Sequence, residues 1–525
     1  MTKKAFAVIF LCALAGALVL RLARPEARPV HPDEANQAVK FGALLERGDY
    51  RFDPRDHHGP TLYYLTLPAA RLAGARTLAG LDVAALRAVP ALAGAAVLLL
   101  LLLLAGGLSR EAVLAAAVLA AVSPAMVYYS RFYIQETLLV AFLAAFLGAG
   151  WRYARARSAL WALAAGAAAG LMAGTKETSA LLFAAAAAAL AATALLEKAY
   201  ARPGGRTAAD GSWTWRGGRN GLPRPGHALL ALAAGAAVAA LFYSSFLANP
   251  AGLADAFRAL GLSLERAGHP GVHAHPWHYY FGLLAYAKGA AGPVWSEAFL
   301  LFLALAGGIG ALAPDAGRDD SPRFLRFTLF FTLFTAAAYS LVPYKTPWNL
   351  LPFYLGLVLL AGHGVALLLR ISRFRLVKLV VLALLVPGFA GLAVQSYRAS
   401  FARPADPANP YAYAQTVPDL LRLVGEVEKA AAAAPEGKDL LVAVVAPPDE
   451  TWPLPWYFRG LGRVAYWTGP AAAREGLGEA RPAVVVSSAA FAEEVGAALG
   501  ADYRMSFFGL RPEVVLALFV RGGTP

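Results

Sequence analysis

Apolar runs close to the ~20 residues that a helix needs to cross a ~30 Å hydrocarbon layer recur along the first three quarters of this 525-residue chain. They fall near 5–23, 83–105, 111–128, 136–151, 158–174, 179–197, 227–247, 293–312, 326–342, 349–369 and 379–396. Most are built of Ala and Leu, which suit helices rather than the alternating strands of a membrane barrel. Hydrophobic residues make up 58% of the chain and charged residues 15%, against roughly a quarter charged in a soluble domain. The expected fold class is an all-α polytopic membrane bundle of about eleven transmembrane helices. The less apolar stretch Thr61–Gly80, with Pro68, Arg71 and Arg76, reads either as an interfacial helix or as an extra pair of short helices.

The formal net charge of +14 does not indicate a nucleic-acid partner, because the basic residues sit in short connections rather than on one face. They set the orientation instead. Lys3 and Lys4, Trp151–Ser158, Lys198–Gly226 and Arg370–Lys378 are separated by even numbers of crossings. The positive-inside rule assigns all four to the cytoplasm. A multi-pass protein of the plasma (inner) membrane with a cytoplasmic N-terminus is expected. Met1–Leu20 lacks a clear A-x-A cleavage site and reads as an uncleaved first helix. Cys12, the single cysteine, lies in that run and allows no internal disulfide.

The expected organisation is a transmembrane domain over 1–396, with outer loops 24–82 and 248–292, followed by a small extracytoplasmic domain over 397–525. In that tail the β-branched runs Leu440–Ala446, Ala483–Ser488 and Val514–Val520 alternate with helix-like Val417–Ala434 and Ala490–Gly500, an α/β pattern. The outer side collects most of the His, Trp and paired carboxylates that lie outside the apolar runs.

The first outer loop opens with His31-Pro32-Asp33-Glu34. Two carboxylates beside apolar surface are costly unless used, and burial would make one a usable base. Equally, the pair caps the amphipathic helix that follows. His57 and His58, after Asp56, either bind a metal or phosphate-bearing head group or end a loop in solvent. His269, His273, His275 and His278 alternate with Trp277, Tyr279 and Tyr280 and read as an interfacial aromatic belt. Three short outer loops carry charge at helix ends: Ser130–Glu136 with Arg131 and Glu136, Gly174–Thr178 with Lys176 and Glu177, and Tyr344–Trp348 with Lys345. One such charge is commonplace snorkelling. Three together suit a lipid phosphate.

An Asp-Glu pair in the first outer loop, many helices and an outer soluble tail resemble the GT-C glycosyltransferases, nearest to glycosyltransferase family 39, the protein O-mannosyltransferase and aminoarabinose-transferase group. More narrowly, His57-His58-Gly59-Pro60-Thr61, Ser130–Glu136, Tyr344–Trp348, Asn409–Thr416 and Trp452–Tyr457 resemble the prokaryotic flippase activity-associated membrane protein family. The resemblance implies a sugar donor carried on a polyprenyl phosphate and transferred, with inversion, to an acceptor protein, lipid or glycan on the extracytoplasmic face. It implies Asp33 as general base, with Glu34 orienting it. Arg131, Lys176 and Lys345 would hold the departing phosphate, and His57, His58, Glu136, Glu177 and Trp348 would position substrate. No nucleotide-sugar metal site is called for; an accessory divalent cation is compatible with the scheme. The rival expectation is a non-catalytic transporter or flippase component for lipid-linked sugars, for which an internal repeat and midplane charges would speak.

Overall fold

The computed structural model describes residues 1–522 apart from 49, 56–57, 201–222, 270, 290–291, 314–319 and 372–373. The chain divides into two compact units, one formed by 1–23, 49–65 and 87–402, the other by 24–48, 66–86 and 403–525.

Among the described residues, eight helices are long and apolar enough to cross a membrane: Lys3–Leu22, Val83–Leu104, Glu136–Ala156, Ser179–Tyr200, Pro225–Tyr243, Pro322–Leu341, Pro347–Arg370 and Arg375–Ala402. Ala159–Ala173 and Ala298–Ala311 are shorter apolar helices. With Arg110–Val122 they account for every apolar run read from the sequence. The run 111–128 is not one continuous helix, however. Pro124 has no N–H to continue the ladder, and the Ser123 side chain accepts from the Met126 N–H to begin a second helix, Pro124–Tyr129.

Within the first unit the helices approach through glycine, the means by which apolar helices gain contact in lipid. A side chain at Gly307 would run into the Leu360 carbonyl, and one at Gly364 into that of Leu303. Gly166 and Gly170 face Ala231 and Gly235 in the same way. The protein is a multi-pass membrane protein.

The second unit carries a mixed sheet of β1 (Leu441–Val445), β2 (Arg463–Trp467), β3 (Val484–Ser488), β4 (Tyr503–Arg511) and β5 (Val514–Arg521). The strand order is β2-β1-β3-β5-β4. β1 pairs in parallel with β2 and β3, while β5 runs antiparallel to β3 and β4. Central β1 and β3 are covered on both faces and therefore read as valine-rich runs without polar alternation. Leu420, Leu423 and Val427 of helix Asp419–Ala433 pack on one face, and Leu477 and Val495 on the other. Edge strands β2 and β4 expose much of their length and were not legible as strands.

The unit boundaries differ from the two-domain expectation. The stretches 24–48 and 66–86 group with the tail, and the division near the last span falls after residue 402 rather than 396. Thr61–Gly80 contributes one helix, Thr61–Leu72.

Candidate active site

In the second unit the Asp-Glu pair opens helix Pro32–Arg47. His31 precedes it and caps it: its Nδ1 accepts from the Asp33 N–H at 3.0 Å, and the Glu34 carboxylate accepts from the His31 N–H at 3.1 Å. The other ring nitrogen, Nε2, donates to the Tyr413 carbonyl at 3.0 Å, which leaves the imidazole neutral. Burial holds its pKa below the usual histidine range, against the pull of Asp33 and Glu34. Glu34 is buried and also faces Arg28 at 3.6 Å. Asp33 differs in every respect. Its side chain is 49% exposed, the neutral His31 ring lies 3.9 Å from it, and among the described residues its carboxylate accepts no hydrogen bond.

The capping reading holds for Glu34. Glu34 caps and braces the helix, and Asp33 is left available. Burial beside apolar surface, expected of both, applies to Glu34 alone.

The tail motifs serve this helix start. Gln415 donates to the Pro29 carbonyl at 3.0 Å and Thr416 to the Val30 carbonyl at 2.8 Å. The Val30 N–H donates to the Tyr457 hydroxyl at 2.9 Å. Residues 29–31 are thus clamped from Asn409–Thr416 and Trp452–Tyr457, the two segments whose role the sequence did not disclose.

In the first unit, the charged loops meet. Lys176, from the turn before helix Ser179–Tyr200, pairs with Glu136 at the head of helix Glu136–Ala156. It also donates to Asn349 Oδ1 at 3.1 Å. Burial alone would lower the Lys176 pKa, but the charge and hydrogen bond of Glu136 outweigh it and hold the ammonium above the ordinary lysine range. Glu177 is paired with His58 at 3.0 Å. Burial pushes the Glu177 carboxyl up, and the charge and hydrogen bond of His58 more than offset this, leaving it below the usual glutamate range. One oxygen of each carboxylate, Glu136 Oε2 and Glu177 Oε1, is buried without a hydrogen-bond partner.

The loop after His58 is fastened to the same turn. The Thr61 N–H donates to the Gly174 carbonyl at 3.1 Å, and the Thr61 and Thr175 hydroxyls meet at 2.7 Å. Any Cβ at Gly59 would collide with the Gly174 backbone, which explains the glycine in His58-Gly59-Pro60-Thr61. Gly59→Ala is expected to cost about 1–3 kcal/mol by overpacking, read as a lower Tm of the purified protein in detergent. An unchanged Tm would show that the loops part freely.

The depressed Glu177 carboxyl also gives this clasp a pH dependence. A carboxylate that titrates lower when folded adds stability above the unfolded glutamate value, about 4.3, and loses it as pH falls through the folded value. Stability should therefore fall below that range, and Glu177→Gln should flatten this acid limb in a pH series of melting curves.

Arg131 is turned to another task. Its Nη1 donates to the carbonyls of Leu20, Arg21 and Ala23 at 3.0, 3.0 and 2.7 Å, capping helix Lys3–Leu22, and its guanidinium lies over the Phe401 ring at 4.4 Å. Trp348 is buried, 5.7 Å from the Phe132 ring and 6.2 Å from that of Tyr129. Lys345 is buried, and its ammonium donates to the His275 carbonyl at 3.0 Å and to that of Val342. Among the described residues no carboxylate pairs with it, and burial lowers its pKa. The His275 ring stacks on Tyr279 at 4.2 Å, and His273 lies 4.8 Å from Tyr344, in keeping with an aromatic belt. His57 lies outside the described residues. Among those described, no three His, Cys, Asp or Glu side chains are grouped to hold a metal.

Two polar positions with hydrogen bonds between distant elements escaped the sequence reading. Asn349 has no charge to draw attention to it in an apolar helix start. Glu297 is fully buried and accepts from Ser123, Tyr354 and the Ala125 N–H, yet its place in an apolar run resembles a span boundary.

Residues 58–206 match the family model described as dolichyl-phosphate-mannose-protein mannosyltransferase. No curated protein sequence matches the chain. The fold is similar to that of ArnT from Cupriavidus metallidurans bound to undecaprenyl phosphate, with a TM-score of 0.63 at 14% identity over 98% of each chain. It is also similar to the oligosaccharyltransferase AglB from Archaeoglobus fulgidus in complex with an inhibitory peptide and a dolichol-phosphate. There the TM-score is 0.55 at 13% identity, over 99% of this chain and 77% of that one.

Proposed function

For a chain that has the fold of the GT-C glycosyltransferases, we propose a membrane enzyme that transfers a sugar from a polyprenyl-phosphate donor to a hydroxyl or amide acceptor on the extracytoplasmic face. Asp33 takes the acceptor's proton as the acceptor atom bonds to the anomeric carbon. The bond from that carbon to the phosphate oxygen breaks, the electron pair leaves with the polyprenyl phosphate, and attack from the opposite side inverts the anomer. Lys345 stabilises the leaving phosphate by its positive charge, a role that suits a preorganised ammonium without a counter-ion. Lys176 contributes through the cation it shares with Glu136, and the unpartnered oxygens of Glu136 and Glu177 suit sugar hydroxyls.

The observation that carries the reading is the state of Asp33, a carboxylate fixed in position by its capped helix yet without a hydrogen bond of its own. The bound undecaprenyl phosphate of ArnT and dolichol-phosphate of AglB support the donor class.

The test is purified protein in liposomes containing polyprenyl-phosphate-linked hexoses and pentoses, with peptide, lipid and glycan acceptors. Formation of polyprenyl phosphate together with a labelled, inverted glycoside is expected. Movement of labelled donor between leaflets with neither product would assign the chain to transport instead.

A further inference from the structure

Helix Gly252–Gly268 of the first unit is folded with its apolar side outward. Leu253, Phe257, Leu260 and Leu264 are all exposed, Phe257 at 81% and Leu264 at 66%. At roughly 100° per residue, these four positions fall within an arc of about 60°. The opposite side carries Asp255, Arg258, Leu262 and Glu265, which together with Asp53 and Arg55 line a cleft of about 600 Å³. Arg266 donates to the Arg55 carbonyl, and Asp255 pairs with Arg258 at 2.7 Å.

A helix bordering water buries its leucines and presents its charges. This one exposes its leucines and Phe257 as well as Arg258 and Glu265, and among its residues only Gly252 and Ala259 are buried. Its neighbours in sequence expose apolar side chains too. It follows span Pro225–Tyr243, beyond whose end Phe246 and Leu247 are exposed, and it precedes exposed Val272 and Trp277. Trp at this level is characteristic of the boundary between headgroups and acyl chains.

From this arrangement we infer that helix 252–268 lies in the plane of the membrane interface, with Leu253, Phe257, Leu260 and Leu264 sunk among the acyl chains. The partner is the lipid surface itself. At 17 residues the helix covers about 25 Å along that surface, enough to fix the level at which the cleft on its polar side stands above the bilayer. Sequence alone did not show this, because the segment was read as part of a loop and no run in it is long enough to cross.

The inference is tested by nitroxide labels placed singly at residues 257, 258, 264 and 265 in a Cys12→Ser chain reconstituted in liposomes. All four positions are exposed, so the label displaces no core. Labels at 257 and 264 are expected to collide with dissolved oxygen severalfold more, relative to a water-soluble nickel chelate, than labels at 258 and 265. Equal ratios at all four positions would place the helix in water and overturn the inference. Shielding of 257 and 264 from both reagents would overturn it too, in favour of a protein partner or a second copy of the chain.

Discussion

Asp33→Asn is expected to lower sugar transfer by about 10²–10⁴-fold, the usual contribution of a positioned general base, while donor KM and Tm stay close to the parent values. The expectation rests on the contrast between two adjacent residues. Asn matches Asp in shape, and the Asp33 carboxylate makes no hydrogen bond among the described residues whose loss the fold would feel. Glu34→Gln is the control. It weakens the contact with Arg28 and removes charge from a fully buried cap, so its effect should appear first in Tm. An Asp33→Asn variant that transfers sugar at the parent rate, with its fold intact, would remove Asp33 as the base. If instead it lost Tm and activity in step with Glu34→Gln, Asp33 would be one more capping residue. In either case, donor cleavage by the parent enzyme remains a separate measurement, so failure of this assignment leaves the transferase reading standing.

The bundle was legible because crossing a bilayer demands a length and a composition that few other structures need. Every apolar run from 5–23 to 379–396 is helical, with 111–128 divided into two helices. The break at Ser123-Pro124 was not foreseen, since hydropathy averages over a single proline. In the tail, the central strands β1 and β3 announced themselves by valine, whereas β2 owes its existence to pairing with the more distant β1 and β4 to its hairpin with β5.

The charged loops show the same division. That Ser130–Glu136, Gly174–Thr178 and Tyr344–Trp348 belong together was readable from charge at three helix ends. Their geometry then sorted the charges into different tasks. Lys176 turned to a carboxylate, Arg131 to the carbonyls of a helix end and Lys345 to two loop carbonyls. Sequence shows which side chains carry charge. Which buried acceptor each one meets depends on groups that stand more than a hundred residues away for Arg131 and Lys176, and these have no signature in the chain.

Lys176→Met should be the most damaging of the single changes in the first unit, at about 3–5 kcal/mol of stability, because it strands a buried carboxylate without its cation. Glu136 has one oxygen on Lys176 and the other already without a partner, so no neighbouring hydrogen bond is at hand to compensate. Asn349 loses a donor in the same step. The measurement is a double-mutant cycle of Lys176→Met and Glu136→Leu, scored by melting in detergent and by sugar transfer. If removal of both charges restores the Tm while transfer stays low, the pair holds substrate as well as structure. If both recover together, the ion pair is only an internal brace, and the sugar hydroxyls find their acceptors elsewhere. A Lys176→Met protein that melts within about 0.5 kcal/mol of the parent, as ordinary surface changes do, would mean that the two charges are not desolvated and that the meeting of these loops contributes little.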